Sequence, residues 1–263
     1  MWIFLQIMNF LIQNDAYIGN PPWAYIDANI LKERLIHRYV DGYREVSYND
    51  ILLMPVENIK DEIPVGSIPF VETWLKRVHG IERINPIEIP KFLRTKEFVK
   101  RDYQIVPYED VPKTGKYFVK DVSVSKKFSF SGETSVLFED RYYTSAVNRD
   151  HLFQVSEIAD IMSEYRVYVF GGKIESICHY DGDPLVFPDP DVIQKANRLY
   201  MTRPDYPRSL TIDVMVTDKG TELIEIHPFV SCGLYGTLWG DSLVYAYRDG
   251  IDYVLRHNTK IDI

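Results

Sequence analysis

The stretch that most restricts how this chain can fold is Leu210 to Tyr235, LTIDVMVTDKGTELIEIHPFVSCGLY. Two alternating apolar runs flank Asp218-Lys219-Gly220, the pattern of a β-hairpin closed by a short turn. With 218–220 as the loop, Thr217 faces Thr221, Asp213 faces Glu225 and Thr211 faces His227. Side chains alternate along a strand, so Asp213, Glu225 and His227 share one face. Two carboxylates held opposite each other repel unless positive charge lies between them, and carboxylate oxygens suit Mg²⁺. The same spacing also describes a solvated hairpin face carrying ordinary surface acids.

The hairpin sits in a chain of 263 residues, long enough for one large or two modest domains. With 46% hydrophobic and 26% charged residues, it has the composition of a folded soluble protein. A net charge of -8 argues against a general nucleic-acid binder. The two cysteines, Cys178 and Cys232, form no CxxC pair, so a disulfide framework is not expected and a reducing, cytoplasmic setting is. The apolar opening MWIFLQIMNFLI lacks a basic n-region and is too short to span a bilayer, so no membrane association is expected. A cleaner strand pattern begins at Met8, which marks residues 1–7 as an upstream start that adds nothing to the fold.

Before residue 90 the chain reads as a small α/β unit. Strands are expected over 9–14 and 43–47, a helix over 24–39, and a strand and turn over 65–71 leading into a helix from 72 to 79. Asn85-Pro86 and Ile89-Pro90 punctuate a boundary. From Pro86 to Phe130, ten Lys or Arg stand against six acids, about +4 in an acidic protein. Such a strip suits an anionic ligand held at one place, or simply a solvated basic face. Within it KYFVKD reads as a strand ending at Lys120, followed by the small-residue loop VSVSKKFSFSGE. Residues 151–161 read as a strand and its exit. SEYRVYVFGGKIESICHY reads as a hairpin turning at Gly171-Gly172, with Glu164, Arg166 and Tyr168 on one face. A helix over 193–201 and a closing helix or helix pair after Tyr235 complete the pattern.

In this order the segments resemble the ATP-grasp ligases. IDVMVTDKGTELIEIHP is similar to their metal-binding hairpin, in which Asp, a turn and Glu are followed by Asn; Asp213 and Glu225 take the carboxylate positions and His227 replaces the Asn. A Gly-Leu-Tyr after that strand resembles the R-two-K clade. The resemblance covers roughly Lys91 to Gly236 and implies an α+β chain: two α+β lobes clamping ATP, preceded by a small α/β domain. It divides the chain into an N-terminal domain, 1–90, and an ATP-grasp domain, 91–263, with a hinge near 154–160. It further implies that Lys120 and Lys127 hold phosphates, with Lys126 competing for the second role. Glu157 and Ile158 then meet the adenine, Glu164 the ribose, and Arg166 the phosphates or an acyl phosphate. Arg166 and Lys127 would be the catalytic groups, and Asp213, Glu225 and His227 would hold Mg²⁺. The implied activity joins a carboxylate to an amine at the expense of ATP. The substrates would be amino acids, peptides or proteins, and no nucleic acid is involved. An ATP-binding module without catalysis and a non-enzymatic α/β interaction protein are the alternatives.

Overall fold

The structure, a computed structural model, describes residues 8–15, 30–33, 35, 42–84, 88–123, 128–236 and 242–257. Three sheets order the chain. The first is parallel, with β1 (Asn9–Gln13) between β2 (Gly42–Val46) and β3 (Ile63–Val65). A central parallel strand is covered on both faces, which is why β1 is the apolar run Phe10-Leu11-Ile12, wholly buried. Residues 30–33 and 35 of the expected second element are helical; the rest of 24–39 lies outside the described residues.

Helix α1 (Tyr48–Leu53), which the apolar spacing does not reveal, starts at a capping box between Ser47 and Asp50. Helix α2 (Ile68–His79) begins four residues earlier than expected. Ser67 caps it by accepting from Phe70 N, and Pro69 sits in the first turn, where a missing N–H costs nothing. Gly80, with φ 71°, ends it.

The second sheet is antiparallel, in the order β4 (Tyr103–Pro107), β7 (Leu152–Ser156), β5 (Lys116–Asp121), β6 (Ser129–Glu133). The short helices α3 (Ser135–Glu139) and α4 (Arg141–Ala146) connect β6 to β7. Val119, Phe153 and Val155 pack with Leu137 of α3. Alternation then turns Phe118, Lys120, Gln154 and Ser156 to the opposite face.

The third sheet is also antiparallel: β11 (Gly220–Pro228), β10 (Leu210–Thr217), β8 (Ser163–Phe170), β9 (Lys173–Gly182). Tyr165, Val167 and Val169 of β8 and Ile212 and Val214 of β10 pack on helix α5 (Pro190–Met201). Helix α6 (Ser242–His257) is continuous, and its apolar face packs into the core of the first sheet: Leu243, Val244 and Tyr247 join Phe10 and Ile12, and Ile251 and Val254 join Leu11 and Trp74. Among the described residues no helix is long and apolar enough to cross a membrane.

The hairpin of β10 and β11 closes differently from expectation. Thr217 pairs with Gly220, so the turn has two residues, Asp218 and Lys219. Val216 therefore faces Thr221, and Val214 faces Leu223. The register then shifts between Asp213 and Val214, leaving Ile224 as the extra residue of a β-bulge. Beyond it Asp213 faces Glu225 and Thr211 faces His227, the expected pairs. Without the bulge Glu225 would lie opposite Ile212 and point into the core.

Candidate functional site

The two antiparallel sheets bound a cleft of about 610 Å³, within the usual range for a small-molecule site. Phe118, Lys120, Gln154 and Ser156 form one wall; Glu164, Met215, Ile224 and Glu225 form the other. Glu157 and Ile158, where the chain passes from β7 towards β8, also line it. Five residues expected from the sequence therefore meet at one cavity: Lys120, Glu157, Ile158, Glu164 and Glu225.

The charges are paired across the lobes. The Lys120 ammonium lies 2.8 Å from Glu225 Oε2 and 3.2 Å from Glu88 Oε1. Burial opposes its charge, but Glu225 and Glu88 together outweigh that and raise its pKa above the ordinary lysine value. Glu88 is not visible as a site residue in the sequence. It stands on the segment leading into β4, where its other oxygen accepts from the Tyr103 hydroxyl at 3.4 Å.

Arg166 and Asp213 lie on the same face of the third sheet as Glu225, 6% and 2% exposed. Arg166 Nε and Nη2 donate to the two Asp213 oxygens at 2.8 and 2.7 Å. Burial works against the guanidinium charge, but Asp213 more than restores it and the pKa is raised. The guanidinium also stands over the stacked rings of Tyr235 and Tyr180, at 5.0 and 5.7 Å. The repulsion expected between Asp213 and Glu225 is thus met by cationic side chains, Arg166 for one and Lys120 for the other.

Glu164 is partly buried, which raises its pKa, and a hydrogen bond with the Tyr180 hydroxyl partly offsets this. The Glu157 carboxylate reaches across the mouth of the cleft. It accepts from Asp102 N at 3.1 Å and from Lys219 Nζ of the hairpin turn at 3.1 Å, and these bonds hold its pKa down. Lys126 and Lys127 lie outside the described residues.

The two carboxylates suit a hard divalent cation, whereas the imidazole of His227 is a ligand that softer metals prefer. His227 Nε2 is out of solvent and lies 2.6 Å from Glu225 Oε1, a close imidazole–carboxylate contact. Among the described residues, however, no three metal-binding side chains converge on one point. Both Asp213 oxygens are held by Arg166, so that residue could serve a metal only after this pair loosens.

Comparison with known proteins bears on the family and the fold. A family model, the ATP-grasp domain of R-two-K clade family 2, matches residues 98–241. No curated protein matches the chain. Among solved structures, a D-cycloserine synthetase is similar with a TM-score of 0.58 and 10% identity, over 94% of this chain and 99% of that one. A D-alanine–D-alanine ligase from Bacillus anthracis, complexed with ATP, gives 0.51 and 12%, over 96% and 97%. The ATP-grasp ligase PsnB, complexed with a minimal precursor, gives 0.51 and 13%, over 95% and 100%.

Proposed function

Since the chain belongs to the ATP-grasp proteins of R-two-K clade family 2, we propose that it is an ATP-dependent ligase joining a carboxylate to an amine. One observation carries this reading: a lysine and two acids that the family pattern assigns to nucleotide and metal, Lys120, Glu164 and Glu225, line one cleft between two sheets. The solved structures named above are ligases or synthetases by description, and one of them holds ATP. The division into domains 1–90 and 91–263, with a hinge near 154–160, and a cytoplasmic setting belong to the same reading.

A carboxylate acylates poorly because its leaving group would be an oxide. In the proposed reaction its oxygen attacks the γ-phosphorus of ATP, the bond to the bridging oxygen breaks, and ADP leaves. The amine then attacks the acyl carbon and phosphate departs, the amine losing a proton. The protein's part is positioning and charge neutralisation. Lys120 and Lys127 hold phosphate oxygens and Glu164 the ribose. Arg166 would meet the transferring group with the part of its guanidinium that Asp213 leaves free, its pose fixed by Asp213, Tyr180 and Tyr235. Glu157 and Ile158 lie beside the base. Asp213, Glu225 and His227 would hold Mg²⁺, which when bound offsets part of the triphosphate charge. Amino acids and peptides are the substrates to try first.

ADP and phosphate release, measured with Mg·ATP against a panel of amino acids and peptides, tests the reading. ADP formation that needs both an acid and an amine supports it. Nucleotide binding without turnover across the panel favours an ATP-binding module without catalysis, which the hold of Arg166 on both Asp213 oxygens would suit.

A further inference from the structure

Gln154 is 2% exposed and yet lines the cleft. Among the described residues its side chain makes one hydrogen bond, a long one from Nε2 to Ser156 Oγ at 3.5 Å. A carboxamide offers two donors and an oxygen that accepts twice, and buried groups of this kind are normally satisfied. Here the oxygen and most of the donor capacity are left to whatever fills the cavity.

Its position narrows the occupant. Gln154 is the cross-strand partner of Lys120, and the side chains of Phe118, Met215, Ile224 and Ile158 line the same cavity. Apolar side chains in the same cavity as this amide, which stands three residues before the exit at Glu157, suit a heteroaromatic base. An amide presents a donor beside an acceptor. That pair matches N7 and the N6 amine of a 6-aminopurine. Guanine shows acceptors at both N7 and O6, so whichever way the amide is turned its oxygen meets a lone pair.

We infer that Gln154 is the specificity-determining residue for the base: its carboxamide reads the N6/N7 edge of a 6-aminopurine nucleotide and rejects guanine. The inference rests on the proposal that the cleft holds a nucleoside triphosphate.

Calorimetry on the full chain separates the two. ATP, GTP and purine riboside triphosphate, which lacks the N6 amine, are titrated into the wild type and into Gln154→Met, which is similar in length and lacks hydrogen-bonding groups. The wild type should prefer ATP over purine riboside triphosphate by roughly tenfold, the scale of one net hydrogen bond. In Gln154→Met that preference should fall to about one, through weaker ATP binding, with the GTP penalty reduced in parallel. An unchanged preference in a folded variant overturns the assignment of Gln154 alone. Absence of binding by any of the three to the wild type overturns the nucleotide reading with it. If Gln154→Met does not fold, Gln154→Leu, which also lacks any acceptor for the N6 amine, should lose the ATP preference instead; retention of it overturns the inference.

Discussion

Arg166 grips Asp213 with two parallel hydrogen bonds in a part of the sheet almost closed to solvent. Removing one partner of such a pair leaves a buried charge uncompensated, typically at a cost of about 3–5 kcal/mol. Asp213→Asn should therefore destabilise the ligand-free protein by about 3 kcal/mol in urea denaturation. Relief of repulsion with Glu225 would have the opposite sign. Replacing both residues by leucine should recover much of that loss, since no charge is then stranded.

Lys120 is shared by Glu225 and Glu88, so its loss has two readouts. Lys120→Met should weaken ATP binding by about 1.5–3 kcal/mol, the scale of a charge-assisted hydrogen bond, as measured by calorimetry. It should also lower the melting temperature without ligand, because two carboxylates lose their common counter-charge. Unchanged affinity would remove Lys120 from the phosphate site and leave it a structural tie.

The raised carboxyl of Glu164 has a pH signature. A folded pKa above the ordinary 4.5 means that the folded state binds this proton more tightly than the unfolded state does. The carboxylate therefore penalises folding at neutral pH, and the penalty disappears as pH falls through the raised value to 4.5. Glu164→Gln should be more stable than the wild type at about pH 7, with the difference shrinking as the pH falls towards 4.5 in denaturation series. A constant difference across that range would place the effect elsewhere.

The bulge at Ile224 sets the parity of the outer strand. Because Ile224 is the extra residue, deleting it should join the Leu223–Val214 pair directly to the Glu225–Asp213 pair in a regular ladder, leaving Glu225 and His227 on the cleft face. The deletion variant should therefore fold and keep a Mg·ATP-induced rise in melting temperature, losing only the part of the cleft wall that Ile224 supplies. A folded variant without that rise would mean that the bend of the bulge itself, and not only the face of Glu225, shapes the cleft.

Much of this is legible in the sequence because alternation is a local signal. Strands β5, β7, β8, β10 and β11 are readable from it, and so is the shared face of Glu164 and Arg166. The pairing of Asp213 with Glu225 is readable too, although a three-residue loop leads to it on paper where a two-residue turn and a bulge produce it in the fold. The start of α2 is obscured because Pro69 suggests an interruption, whereas the Ser67 cap makes it a first-turn residue. The counter-charges are not legible. Lys120 and Glu225 are 105 positions apart, and nothing local to Glu88 points to either. Gln154 is within reach of the sequence by stepping back in twos along β7 from Ile158 through Ser156.

The packing of α6 on the first sheet has a consequence for synthesis. The strands made first, around Phe10 and Leu11, keep part of their apolar surface uncovered until Leu243 to Val254 have left the ribosome. The nascent chain thus carries an open core through most of translation, a state that invites chaperone capture. Its first layer is sealed only when nearly all of the later sheets have been made. An early stop codon before residue 242 would leave that core unsealed, and the truncated product would be a target for proteolysis rather than a smaller working protein.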